Sequence, residues 1–433
     1  MASKSVLEEL LSEQAWLETL SECEERGFRN REKLKAYLQV IQSGEALTIA
    51  SEVLRSEYRL SPPTLHTINK GGHSKKKLVY TYPPKEELLL KVINRILQPH
   101  VSSLISPACH SFRRGRSAKT AFRALLRDKD IRRKHCLRLD IVDYFNSIDV
   151  ERLLASLPPI LARDACLMQL LEQMLLQTEV VRNGETVVVE QKGVMAGTPL
   201  APLLSNLYLT DLDELFRLQG VTYARYSDDI IIFAGEGEIG EHEALIRSHL
   251  ARKGLRVNEE KSQRIPPGYP WEYLGLRCHD GTVDVSTNTI RKLKGKVRRL
   301  ARRYDRLRRA GRMESEEAAG RLIRKLNRKL FGVTLDDNDL CWAQWFFPVL
   351  NTSQTLKGLD GFIQEKLRFA ATGRYTKRNY KTMPYEKLRE LGYIPLTTAF
   401  YAFRGDKAAY FELIRARSAS APDFRKAVPQ NGA

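Results

Sequence analysis

Three aspartates in two short apolar segments carry the chemistry this chain is equipped for. In Ala224-Arg225-Tyr226-Ser227-Asp228-Asp229-Ile230-Ile231-Ile232-Phe233, apolar runs flank a Ser-Asp-Asp centre, the pattern of a hairpin with a tight turn. Two adjacent acids at such a tip repel one another, and a hard cation such as Mg²⁺ relieves that repulsion. In Leu137-Arg138-Leu139-Asp140-Ile141-Val142-Asp143-Tyr144-Phe145, an apolar strand carries an acid near its C-terminal end. A lone aspartate there commonly caps a turn or helix. An unpaired charge in a buried strand is costly, however, so Asp140 needs a partner. If this strand lies beside the 224–233 hairpin, three carboxylates converge. Two metal ions about 3.5–4 Å apart could then activate a hydroxyl and neutralise a leaving phosphate, which is phosphoryl transfer by positioning and electrostatics.

The elements that must position these acids are legible in outline. Residues 1–59 have helical spacing, ended by Ser61-Pro62-Pro63. Leu78–Tyr82 reads as a strand; Glu86–Leu97 and Ala118–Leu126 read as helices. From 136 to 280, strands expected at 136–142, 187–191, 221–226, 230–234 and 271–278 alternate with helices at 150–177, 201–218 and 240–253, an α+β pattern. From about 286 the chain reads as helical and very basic. Residues 291–329 hold 17 Lys or Arg against 4 acids. There Leu293, Val297, Leu300, Tyr304 and Leu307 mark the apolar side of a helix, and the density of charge on the other side argues for tracking a phosphate backbone.

Bulk properties agree. At 433 residues and 42% hydrophobic content the chain can build two or three packed subdomains. Its net charge of +19 suits a polyanionic partner, nucleic acid being the commonest. The six cysteines (23, 109, 136, 166, 278, 341) form no CxxC clip and read as reduced, buried thiols. Acidic residues interrupt the N-terminus and no uncharged apolar stretch reaches about 18 residues, so a cytoplasmic protein away from membranes is expected. Trp342, Trp345, Phe346, Phe347 and Leu350 read as core, with base stacking as the competing reading. Between Arg368 and Lys381, arginine, lysine and tyrosine interleave, which suits RNA; Arg374, Lys377 and Arg378 are the candidate contacts.

Taken in order, these segments resemble bacterial reverse transcriptases of the group II intron, retron and phage-defence kinds. Asp140–Phe145 resembles their first catalytic motif, and Tyr226–Asp229 their Tyr-x-Asp-Asp box with Ser where Ala is usual. The likeness runs over about residues 60–285 and more loosely beyond. It implies a right-hand polymerase: an N-terminal helical extension over 1–60, fingers and palm over 61–285, a basic helical thumb and RNA-binding region over 286–417, and a flexible tail over 418–433. It further implies that Asp140, Asp228 and Asp229 hold two Mg²⁺ ions, with Mn²⁺ as the substitute. Ser111–Ser117 resembles the fingers motif, making Arg113 a nucleotide contact and Arg116 a nucleic-acid contact; Lys75, Lys76 and Lys77 resemble the basic fingers strand, one of which would clamp the triphosphate, Lys75 and Lys77 being the candidates. Asp143 and Tyr144 would line the triphosphate, and Phe145 would be the steric gate that excludes a ribose 2′-hydroxyl. Gly193–Asn206, including Gly197, resembles the loop and helix under the nascent base pair. It departs from the pattern at Ala196 (usually Gln) and Ala201 (usually Ser), which puts one sugar contact in doubt. Gly254–Lys261 resembles the fourth palm motif, with Lys261 either a general acid for pyrophosphate or a solvated lysine. Trp271–Leu276 resembles the primer grip, with Tyr273 against the growing strand, and Arg298, Arg299 and Arg302 would follow its backbone.

The implied activity is RNA-directed DNA synthesis from dNTPs, on a structured non-coding RNA as template, in the setting of anti-phage defence. No endonuclease module is evident, and the length fits a retron or stand-alone enzyme. The competing readings are a polymerase of RNA or of untemplated DNA, and an RNA-binding splicing chaperone.

Overall fold

A computed structural model describes residues 5–25, 30–69, 76–189, 192–332 and 341–419. The α+β expectation holds, and the chain divides into two units, one formed almost wholly by residues up to Tyr269 and the other by residues from Pro270 on.

In the first unit, the sheet that matters for function has four antiparallel strands in the order Thr222–Tyr226, Asp229–Ala234, His135–Asp140, Gln263–Ile265. Ile230, Ile231 and Ile232 are all fully buried, so this strand is covered on both faces, which is why its apolar run is continuous rather than alternating. The helices Ala201–Tyr208, Thr210–Leu218 and Glu236–Arg252 are amphipathic or apolar and pack in the same core. A second sheet runs in the order Lys76–Thr81, Thr64–Asn69, Glu179–Arg182, Glu185–Val188. The N-terminal region is helical as expected, with Trp16 fully buried and its indole donating to the Leu10 carbonyl at 2.8 Å.

Three expectations change, the simplest being that the helix expected over 201–218 is two, Ala201–Tyr208 and Thr210–Leu218. The helix expected over 150–177 is three helices, Val150–Ala155, Pro159–Ala162 and Ala165–Leu176. Pro158-Pro159 interrupts the ladder, and Asp164 restarts it by accepting from the Leu167 amide at 3.0 Å. The strand expected over 271–278 is two strands, Trp271–Tyr273 and Leu276–His279, because Leu274 and Gly275 take φ of +52° and +80° and turn the chain. These strands belong to the second unit, in a three-stranded sheet completed by Thr282–Val285. The rest of the described part of that unit is helical, led by Thr287–Arg309, Ser315–Phe331 and Gln354–Thr372. Phe347 is fully buried against Phe400, Phe403 and Tyr410, so the aromatic cluster is core. Among the described residues, no helix is long and apolar enough to cross a membrane.

Candidate active site

The register of the first sheet brings the acids together. Asp140 stands directly opposite Asp229, and the hairpin closes with Tyr226 opposite Asp229. Ser227 and Asp228 form the two-residue turn, Ser227 at a φ of +59°. The Asp228 carbonyl accepts from the Ile141 amide at 3.1 Å, tying the turn to the end of the central strand. Burial first, then the carboxylates of Asp229 and Asp140, pushes the Asp228 carboxyl up. Burial also pushes Asp229 up, against the opposing charge of Arg138.

Two cations already meet these acids. Lys261 Nζ lies 2.7 and 2.8 Å from the two oxygens of Asp140, and Asn258 Nδ2 donates to the same carboxylate at 3.1 Å. The fourth palm segment is fastened there by its backbone, Asn258 N–H to the Asp140 carbonyl at 2.7 Å and Val142 N–H to the Arg256 carbonyl at 2.9 Å. Arg138, diagonally across the strand pair, places Nε and Nη2 each 3.2 Å from Asp229 Oδ1. Among the described residues, no three His, Cys, Asp or Glu side chains are already drawn into a ligand set. The donors nevertheless suit Mg²⁺: three carboxylates on a rigid sheet end, all oxygen, whose mutual repulsion is met by positive charge at the same oxygens an ion would use.

Sequence reasoning missed the network behind the turn. Arg225 and Asp213 are both fully buried, paired through Nε–Oδ1 at 2.8 Å and Nη2–Oδ2 at 2.6 Å, with the Tyr223 hydroxyl donating to the same carboxylate at 2.8 Å. Arg225 Nη1 also donates to the Ser227 carbonyl at 3.2 Å. Ser111 completes the grip: its Oγ accepts from the Ser227 amide at 2.9 Å and donates to Asn206 Oδ1 at 3.0 Å. The available signals were an arginine inside an apolar strand and an acid between Leu212 and Phe216 on the apolar face of a helix.

The other expected residues fall in several places. Phe145 is half-buried beside Phe112 and Tyr144. The Tyr144 ring is buried and its hydroxyl donates to the Ser205 carbonyl at 2.5 Å; Asp143 is exposed, with its carboxylate accepting from Asn146. Arg113 spends its guanidinium on the carbonyls of Ser102 (2.6 Å), Ser106 (2.8 Å) and Cys109 (3.2 Å), so it fastens its own loop rather than reaching outward. Arg116 is half-exposed and Lys77 is exposed on the strand Lys76–Thr81; Lys75 lies outside the described residues. A Cβ on Gly197, whose φ is +105°, would meet Val79 Cγ1 at 2.5 Å and the Tyr80 carbonyl at 2.9 Å. Its glycine thus permits packing of protein on protein. Ala196 donates its amide to Asn146 Oδ1 at 3.1 Å. In the second unit, Tyr273 is fully buried, so its ring has no surface to offer a nucleic-acid strand. Arg298, Arg299 and Arg302 are exposed, as are Arg374, Lys377 and Arg378, between which Tyr375 stands 56% exposed.

Residues 76–278 match a sequence model of the reverse transcriptase (RNA-dependent DNA polymerase) family. An uncharacterised 91 kDa protein in the cob intron of Schizosaccharomyces pombe is 26% identical over 182 residues, 40% of this chain and 21% of that protein. The chain therefore spans about a fifth of that relative's length. Among solved structures, an apo telomerase from Candida tropicalis aligns over 93% of this chain and 86% of its own at 11% identity and a TM-score of 0.48. A telomerase from Candida albicans bound to a TWJ fragment of telomeric RNA aligns over 88% and 70% at 11% identity and a TM-score of 0.43. The match to the reverse transcriptase family over residues 76–278 contains the whole of the sheet whose register sets Asp140 against Asp229, so the likeness and the geometry of the acids fall on the same part of the chain.

Proposed function

We propose that this protein is an RNA-directed DNA polymerase that extends a 3′-hydroxyl with deoxynucleotides. The observation that carries the proposal is the pairing of Asp140 with Asp229 at the sheet end, with Asp228 on the adjoining turn. Asp140, Asp228 and Asp229 would hold two Mg²⁺ ions, or Mn²⁺ in their place. Bound there, the ions lower the pKa of the attacking hydroxyl and neutralise charge on the leaving pyrophosphate. The chain's own contribution is placement. The apolar strands and the Arg225–Asp213–Ser111 network fix where the carboxylates stand. Lys261, on Asp140, is within the same site and is the group to protonate pyrophosphate once its ion pair is loosened. Phe145, half-buried on the short helix after Asp140, is the residue this reading assigns to excluding the 2′-hydroxyl.

The template in this proposal is a structured non-coding RNA, and the exposed cations of the second unit supply phosphate contacts for it. The setting is anti-phage defence, which rests on the sequence resemblance alone.

The test is to purify the protein from its host, wild type and Asp228→Ala/Asp229→Ala, and sequence the bound nucleic acid. One enriched RNA in both samples, with complementary DNA in the wild type only, is the expected result. Loss of the RNA in the double variant would instead assign these acids to binding. Complementary DNA in both samples would refute their catalytic role.

A further inference from the structure

Phe112 occupies a conformation that a residue of its kind normally avoids. Its φ is +52°, in the left-handed region where a Cβ crowds the backbone, and the residue is 45% exposed, so burial returns little. Both neighbours enforce the placement. Ser111 is fully buried and bonded to Asn206 and to the Ser227 amide. Arg113 is bonded to the carbonyls of Ser102, Ser106 and Cys109. Strain that persists because the surroundings over-determine it points toward function.

The Phe112 ring is directed at the site. It meets the Phe145 ring edge-on at 6.0 Å between centroids and 68° between planes, and the Tyr226 ring at 6.2 Å. The Phe145 backbone is fixed independently. Its carbonyl accepts from the Val194 amide at 2.9 Å, and Gly193 approaches so closely that a Cβ there would stand 2.3 Å from that carbonyl. What remains to Phe145 is rotation of its side chain, and among the described residues two rings meet it, Phe112 and, at 5.8 Å, Tyr144.

We propose that Phe112 is a positioning residue that buttresses the Phe145 ring and so sets the discrimination between deoxyribo- and ribonucleoside triphosphates. This rests on the reading of Phe145 as the sugar gate. A steric gate discriminates only if it does not yield, because a ring that swings aside by about an ångström no longer clashes with a hydroxyl. The edge-to-face contact with a strained, fixed neighbour restricts that swing.

The experiment measures kcat/KM for a deoxynucleoside triphosphate and its ribonucleoside counterpart on an RNA template with an annealed DNA primer. The variants are Phe112→Ala, Phe112→Gly, Phe145→Ala and Phe112→Gly/Phe145→Ala. Glycine adopts positive φ without strain, so Phe112→Gly removes the ring without disturbing the turn, and its melting temperature should not fall below that of the wild type. Phe145→Ala should abolish most of the discrimination. Each Phe112 variant should lower it roughly three- to tenfold, the size expected for one aromatic pair, through a gain in ribonucleotide kcat/KM. The double variant should match Phe145→Ala alone, since the buttress acts through the gate. If Phe145→Ala lowers discrimination while Phe112→Gly leaves it unchanged, or if the two effects multiply, the buttress is refuted and the gate stands. If Phe145→Ala changes nothing, the gate reading itself falls, and the buttress with it.

Discussion

The sheet end of the first unit and the helix Thr287–Arg309 of the second both concentrate charge, but they handle it in opposite ways. At the sheet end the charges have specific partners: Arg225 on Asp213, Arg138 on Asp229, Lys261 on Asp140. Several of these groups are buried, and their geometry is fixed by strands whose apolar residues are buried. On the helix, Arg298, Arg299, Arg302 and Arg303 are exposed, Arg298 with its guanidinium 5.2 Å from the centre of the Phe362 ring. The one acid, Asp305, is shared by Arg308 and Arg309, and Lys296 is pulled down first by the adjoining Lys329. Surface cations in such excess contribute by number, since each releases a counterion on meeting a phosphate. Buried charges contribute by position, since a small displacement changes what they hold.

The largest effect should come from breaking the buried pair. Arg225→Met leaves Asp213 buried without its cation and should destabilise the first unit by about 3–5 kcal/mol, whereas Arg225→Met/Asp213→Leu should recover most of that stability. DNA synthesis should not recover with it, because the Ser227 carbonyl is left without its donor and the catalytic turn without its anchor. Urea unfolding and primer extension, measured on both variants, separate the two roles. Full activity in the double variant would reduce Arg225 to a purely structural residue.

A smaller effect belongs to His110, buried behind the same turn with Nδ1 bonded to Thr120 at 2.9 Å. Burial first, then the charges of Arg116 and Arg113, pulls its imidazole down to about 4. Because the folded pKa lies below the unfolded value of 6.5, the unfolded chain takes up a proton between pH 6.5 and pH 4 that the folded chain refuses. Stability should therefore be undiminished above pH 6.5 and fall below it. By pH 5, the wild type should be destabilised by about 2 kcal/mol more than His110→Asn. Equal destabilisation of the two proteins by urea unfolding would show that His110 does not stay neutral in the fold.

The same contrast explains what the sequence disclosed. Acids at Asp140, Asp228 and Asp229 were visible because an apolar strand makes a charge conspicuous, and period-two and period-3.6 patterns located most strands and helices around them. Residues whose role depends on long-range contact were not visible. Arg225 reads as one more basic residue until the fold sets Asp213 beside it. Arg113 reads as a ligand contact until three carbonyls claim it, and Tyr273 as a surface ring until it is seen buried. The glycines Gly193 and Gly197 were readable as points of close approach, but not what approaches them. The strand Thr64–Asn69 escaped because its partners are supplied from residues 76–81 and 179–182, and its own sequence alternates too weakly to reveal it.

On the second unit the comparison is sharpened by removing charge without removing structure. Arg298, Arg299 and Arg302 are exposed on a helix whose buried face is supplied by Leu293, Val297 and Ala301, so Arg298→Gln/Arg299→Gln/Arg302→Gln keeps the packed face intact and glutamine keeps the helix propensity. RNA affinity should fall on the order of tenfold at about 0.1 M salt, and the slope of log affinity against log salt should flatten by about 0.7–0.9 for each phosphate no longer neutralised. At saturating template, primer extension should proceed at the wild-type rate, because the carboxylates belong to the first unit and are left unaltered. That is the inverse of the Arg225→Met/Asp213→Leu result, where stability returns and synthesis does not. An unchanged salt slope would mean that these arginines are solvated and meet no phosphate, and the track for the nucleic acid would then have to be sought at Arg374, Lys377 and Arg378.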